Sequence, residues 1–68
     1  MAQKQGCGAV LKKLREDKGL TQVQLAKKTG VTQEYIAMIE SGVRKNPTID
    51  VLKRLAKSLD VKVADLLE

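Results

Sequence analysis

The chain has 68 residues, with 13 Lys and Arg against 8 Asp and Glu, which gives a formal charge of +5 at pH 7. This length predicts one small domain, residues 1–68, with an aliphatic core, because the sequence holds one Tyr, no Phe and no Trp. The absence of histidine and the single cysteine exclude an ordinary zinc site and an internal disulfide, so we expect no metal and no cofactor.

Apolar residues recur at helical spacing along almost the whole chain, and no stretch alternates as a β-strand does. The first predicted helix carries an apolar stripe at positions i, i+3, i+4 and i+7, formed by Cys7, Val10, Leu11 and Leu14. Gly19 follows this helix, where a left-handed residue commonly ends one. We expect Cys7 to be buried and unreactive, as a small apolar residue of the stripe.

Two short helices then follow each other with almost nothing between them. Thr21 is predicted to cap the second helix, and Gln24 completes a capping box with it. Gly30 ends that helix, and Thr32 caps the third. Helices of two turns are unstable alone, so we expect them to cross steeply at the glycine and stabilise each other. The pattern of residues 21–42 indicates a helix-turn-helix, whose second helix enters the DNA major groove.

A fourth helix is predicted after the N-cap Thr48, and a short fifth helix begins near Lys62. The apolar face of the fourth helix comprises Ile49, Leu52, Leu55, Ala56 and Leu59. The fold class that follows is all-α, with five short helices packed in one compact domain.

Two segments, GAVLKKLREDKGLTQVQLAKKTGV and IAMIESGVRKNPTIDVLKRLAKSLDV, carry a resemblance to a known family. The chain resembles the Cro/repressor (XRE-like) helix-turn-helix family of phage and bacterial transcriptional regulators. The resemblance covers residues 8–67 and joins caps, turn and core in one pattern. The resemblance implies a five-helix, lambda-repressor-like domain with the helix-turn-helix at helices 2 and 3. It also implies a transcriptional regulator, usually a repressor, that binds double-stranded DNA.

Four residues of the third helix are expected to face the bases, namely Gln33, Glu34, Tyr35 and Met38. The amide of Gln33 can pair with N6 and N7 of adenine, and the family resemblance implies the same role, with an exposed helix-start glutamine that contacts nothing as the alternative. Glu34 fits either acceptance from a cytosine N4 or a favourable charge at the helix start. Tyr35 fits a DNA contact or packing at the turn, and Met38 fits a thymine methyl or a half-buried filler.

The resemblance implies that helix ends and the loop after the third helix contact phosphates. These residues are Gln22, Thr32, Ser41, Arg44, Lys45 and Asn46. For the loop, an ordinary solvated segment is the alternative. Arg15 and Glu40 match family positions that form an ion pair between the first and third helices, so we assign both to structure.

One such domain contacts few base pairs, so we expect a homodimer on a near-palindromic operator with half-sites about 34 Å apart. Val61, Val63 and Leu67 are the expected dimer surface, with completion of the core as the alternative, which we favour for Leu66. A rival function is an antitoxin-like or controller protein-interaction module that binds DNA mainly in complex with a partner protein.

Other function classes lack the residues they need. No nucleotide-binding glycine motif and no paired nucleophile and base occur, so we expect no enzymatic activity. One tyrosine is too few for single-strand binding by base stacking. No stretch reaches the ~18 apolar residues of a membrane span, and the segment MAQKQGCG has no apolar stretch that would make it a secretory signal. We therefore expect a cytoplasmic, nucleoid-associated protein whose basic charge serves nucleic-acid binding, with solubility as the alternative.

Overall fold

The computed structural model describes residues 7–44 and 47–67, and these form five α-helices. The helices are α1 (Cys7–Asp17), α2 (Gln22–Thr29), α3 (Gln33–Ser41), α4 (Ile49–Leu59) and α5 (Val63–Leu67). Helix α1 packs against α3 and α5, α2 packs against α3 and α4, and α4 packs against α5. The expected all-α fold is therefore confirmed. None of the described helices is long and apolar enough to cross a membrane.

Hydrogen bonds at both ends of α2 fix this helix before the turn that leads to α3. The Thr21 hydroxyl accepts from the Gln24 backbone N–H at 3.0 Å, and the Gln24 side chain accepts from the Thr21 N–H at 2.8 Å. At the other end Gly30 adopts φ 78°, in the left-handed region that disfavours a side chain. Its N–H donates to the Ala26 carbonyl, and Ala26 packs half-buried against the core. The predicted glycine corner is confirmed.

All five helices contribute to one aliphatic core. Its fully buried side chains are Leu11, Leu25, Ile36, Ile39, Leu55, Leu59 and Leu66. The inward prediction for Ile49 was wrong, because this side chain is 58% exposed. Ile49 is the first residue of α4, and the inner face of that helix begins only at Leu52. Leu66 is buried in the core, so the alternative that we favoured for this residue, completion of the core, is confirmed.

Helix α1 meets α3 through a residue outside the predicted apolar stripe. The buried positions of α1 are Gly8, Leu11 and Arg15. The other stripe residues lie half-buried beside this line: Cys7, Val10 and Leu14. A Cβ added to Gly8 would overlap the carbonyl oxygen of Ile39 and lie 3.1 Å from the Cα of Glu40. The two helix backbones therefore touch at Gly8, where only glycine leaves enough room.

Candidate nucleic-acid interface

The first turn of α3 presents polar side chains to solvent on a rigid base. The Thr32 hydroxyl accepts from the Tyr35 backbone N–H at 3.1 Å and so caps the helix. Ile36 is fully buried and anchors the opposite face. Gln33 and Glu34 are both exposed, and Glu34 lies in the first turn, where an acidic residue complements the helix dipole. The exposed amide of Gln33 is therefore available to an incoming base edge.

Tyr35 and Met38 are less accessible than these two residues. Both side chains are half-buried, and Tyr35 packs against the aliphatic core. Their rims remain open to a ligand, so a base contact and a packing role both fit this geometry. The sequence alone did not distinguish the buried from the open part of this helix face.

A polar network joins α1 and α2 to the last turn of α3. Arg15 Nε donates to Glu40 Oε2 at 2.7 Å and its Nη2 donates to Oε1 at 3.0 Å, which makes a bidentate ion pair. Arg15 Nη1 also donates to the Leu20 carbonyl at 2.7 Å. The hydrogen bond to Glu40 raises the pKa of Arg15 above its usual value. The Glu40 side chain is only 4% exposed, so this pair braces α1 against α3.

Gln22 joins the same network, which the sequence did not reveal. Its side-chain Nε2 donates to Glu40 Oε1 at 3.0 Å, so its amide is oriented from within the fold. The second N–H of that amide and the first backbone N–H groups of α2 remain available for a phosphate. Gln22, Lys12 and Ser41 line one shallow groove between the three helices, which adds Lys12 to the candidate contacts.

The segment after α3 is held to the end of that helix. The Arg44 N–H donates to the Met38 carbonyl at 3.0 Å, and the Ser41 hydroxyl donates to the same carbonyl at 3.2 Å. Both Ser41 and Arg44 are exposed, as phosphate contacts must be. The other two predicted loop contacts, Lys45 and Asn46, lie outside the described residues.

A second basic surface lies between α2 and α4. Lys28, Arg54 and Lys57 line a groove with Thr29 and Ser58, and no residue of α3 takes part. In the sequence these cations are scattered, and only the packing of α2 on α4 brings them together. Arg54 is paired with Asp50 at 3.2 Å, so part of this charge is neutralised.

The expected dimer residues have unequal exposure. Leu67 is 55% exposed, whereas Val61 and Val63 are half-buried and pack against the core. Leu67 is thus the one large apolar side chain of α5 that is largely exposed. Cys7 is half-buried, and burial raises the pKa of its thiol, which keeps it protonated and weakly reactive at neutral pH.

Comparison with known sequences gives relatives along nearly the whole chain. Residues 11–66 match the profile of a helix-turn-helix family. The chain is 38% identical to the transcriptional regulator SinR of Bacillus subtilis over 61 residues, which is 90% of this chain and 55% of SinR. It is 34% identical to the regulator SlrR of the same species and covers 40% of it. The chain therefore spans about half the length of these relatives.

Comparison with solved structures agrees with the sequence relatives. SinR in complex with DNA superimposes with a TM-score of 0.89 at 37% identity, covering 91% of this chain and 98% of that one. The restriction-modification controller protein C.AhdI of Aeromonas hydrophila gives a TM-score of 0.85 at 34% identity, covering 90% and 91%. The arrangement of five helices is thus shared with both proteins.

Proposed function

The chain belongs to the Cro/repressor-type (XRE-like) helix-turn-helix family of transcriptional regulators, and on this premise we propose that it binds double-stranded DNA sequence-specifically, as a repressor. Helix α3 lies in the major groove, with Gln33 reading a base pair. We propose that the protein binds DNA without catalysing a reaction, and that it is cytoplasmic and associated with the nucleoid.

One observation carries this proposal: α3 has one face fixed in the core and one polar face left open. Ile36 and Ile39 are at most 1% exposed, while Gln33 and Glu34 are exposed on the same helix. A recognition helix needs this combination, since base contacts require side chains held in a constant position relative to the duplex. The similarity to a DNA-bound structure of SinR supports the same orientation.

Phosphate contacts then follow from the surroundings of α3. Thr32 caps the start of α3, Ser41 ends it and Arg44 follows it, while Gln22 begins the neighbouring α2. These groups set the register of the protein on the backbone without reading sequence. We include Lys45 and Asn46 in this set from the sequence alone.

We further propose that two copies bind one operator through α5. The largely exposed Leu67 is the centre of this surface, with the half-buried Val61 and Val63 at its edge. A homodimer doubles the contacts, and it requires half-sites about 34 Å apart. Replacing Leu67 with Lys should convert dimers to monomers in sedimentation equilibrium and leave thermal unfolding of the monomer unchanged.

Selection of bound duplexes from random double-stranded DNA tests the function directly. We expect a near-palindromic consensus, with affinity for it that falls as salt rises, at a slope near −0.9 per phosphate neutralised. A scrambled duplex of the same length is the control. No enrichment of any sequence would contradict the proposal.

The same titrations distinguish this function from the rival, a protein-interaction module. The structural similarity to a controller protein is the reason for testing the rival. If the chain binds its consensus alone with a steep salt dependence, the DNA-reading function holds. If it binds DNA only after a protein partner is added, the rival is correct.

A further inference from the structure

Tyr35 is the only aromatic residue of the chain, and its ring is held in place at the start of α3. Its backbone N–H donates to the Thr32 hydroxyl in the capped first turn. The side chain is half-buried and packs on the aliphatic core. The ring therefore forms a fixed platform two residues after Gln33.

Arg44 lies over this platform. Its guanidinium carbon is 4.9 Å from the centroid of the Tyr35 ring, within the ~6 Å range of a cation–π interaction. The Arg44 backbone N–H donates to the Met38 carbonyl at 3.0 Å, so the backbone at this point is tied to α3. Within residues 7–44 and 47–67 the arginine ion pairs are those of Arg15 and Arg54. Among these residues the Tyr35 ring is thus the partner that the Arg44 guanidinium contacts.

This arrangement leaves Arg44 ready for an anion. A guanidinium that contacts a ring through its face keeps the N–H donors in its plane free to bind phosphate oxygens in a bidentate manner. The contact with the ring also restricts a flexible side chain before DNA arrives, which reduces the conformational entropy lost on binding.

We propose that Tyr35 is a positioning residue that holds Arg44 against a phosphate at the edge of the groove that α3 enters. Tyr35 then acts through Arg44 and does not read a base. This inference rests on the proposed DNA-binding function.

A double-mutant cycle tests the coupling. The Kd for the selected duplex is measured at one salt concentration for the wild type, Tyr35→Leu, Arg44→Ala and the double variant. Leucine keeps an apolar side chain against the core but removes the ring. We expect Tyr35→Leu to weaken binding about two- to fivefold when Arg44 is present, and to have no measurable effect in the Arg44→Ala background. Tyr35→Phe retains the ring and should keep wild-type affinity.

Two further measurements exclude indirect effects. Arg44→Ala should make the slope of log K against log[salt] shallower by about 0.9, the amount for one phosphate. Arg54→Ala removes an exposed arginine in the groove between α2 and α4, and in that background the loss from Tyr35→Leu should remain. Thermal unfolding of each variant gives the folded fraction by which every Kd is corrected.

The outcomes separate the possible roles. Equal losses from Tyr35→Leu in both Arg44 backgrounds would overturn the positioning role, in favour of a base contact if preference at one base pair also changes. A loss in Tyr35→Phe as large as that in Tyr35→Leu would overturn it as well, because the hydroxyl would then be the contact. Absence of wild-type binding at any salt concentration would overturn this inference together with the proposed function.

Discussion

The first and last turns of α3 carry polar groups of opposite kinds. In the last turn the carboxylate of Glu40 is almost fully buried and accepts hydrogen bonds from both Arg15 and Gln22. In the first turn Gln33 and Glu34 lie exposed on the outer face of the helix, and none of the ion pairs of the described residues includes Glu34. The inner network around Glu40 therefore stabilises the fold, whereas the polar groups of the outer face remain free for a ligand. Substitutions in these two turns should accordingly affect different measurements.

The largest effect is expected at the crossing of α1 and α3. Replacing Gly8 with Val would force its Cβ into the Ile39 carbonyl, and no side-chain rotation relieves a backbone overlap. A domain of this size is stable by only about 3–10 kcal/mol, so we expect Gly8→Val to abolish the cooperative unfolding transition in urea. As a control, Gly19→Ala introduces a side chain at φ 71° in open space and should cost about 1–2 kcal/mol. Equal stability of the two variants would contradict the close approach.

The buried ion pair should give the next largest effect. Glu40→Ala leaves the charge of Arg15 buried without its carboxylate, which we expect to lower the free energy of unfolding by about 3–5 kcal/mol. The matched control is Asp50→Ala, which breaks the exposed pair with Arg54 and should cost less than about 1 kcal/mol. Urea titrations at pH 7 measure both. A cost for Glu40→Ala no greater than that of the control would show that the inner network does not stabilise the fold.

The outer face should respond in the opposite way. Gln33→Ala removes an exposed side chain, so we expect the free energy of unfolding to stay within about 0.5 kcal/mol of the wild type. Discrimination at a single base pair of the operator should fall by about 1–3 kcal/mol. Competition binding with duplexes altered at one position checks this. A uniform loss of affinity across all duplexes would argue for a phosphate contact in place of a base contact.

The smallest effect concerns pH and the inner side of α1. Burial raises the pKa of the Cys7 thiol in the folded state above its unfolded value. The folded state therefore holds this proton more tightly, and the stability it contributes is present below pH 9 and lost as the pH rises above about 9. We expect Cys7→Ala to lose less stability than the wild type between pH 8 and about 10. Identical pH profiles would mean that the thiol is solvated in the folded chain.

Local signals in the sequence were sufficient for the helices and the turn. The caps and the corner are formed by residues that interact only with neighbours within one helical turn, so residue types alone specify them. These residues are Thr21, Gln24, Gly30 and Thr32. The crossing at Gly8 depends on which helix packs against α1 at this position. A glycine within a helical pattern does not indicate which helix that is. Its spacing of three residues to Leu11 was the one available signal.

The candidate site also has one part that the sequence predicts and one part that it does not. The outward position of Gln33 follows from its place after the N-cap, and the family resemblance implied the pairing of Arg15 with Glu40. The hydrogen bond from Gln22 to Glu40 depends on how α2 packs against α3, and the contact of Arg44 with the Tyr35 ring depends on how the turn after α3 folds back on that helix. Residue types and spacing therefore did not reveal either contact.

Amide chemical-shift mapping of the ¹⁵N-labelled chain with its selected duplex tests most directly whether the outer face of α3 reads DNA. We expect the largest changes at Gln33 and Glu34, including the Gln33 side-chain amide, with smaller changes at Gln22 and Arg44. The groove that contains Lys28 and Lys57 should change little. If the largest changes fell in that groove or on α5 while α3 stayed unperturbed, α3 would not be the recognition helix.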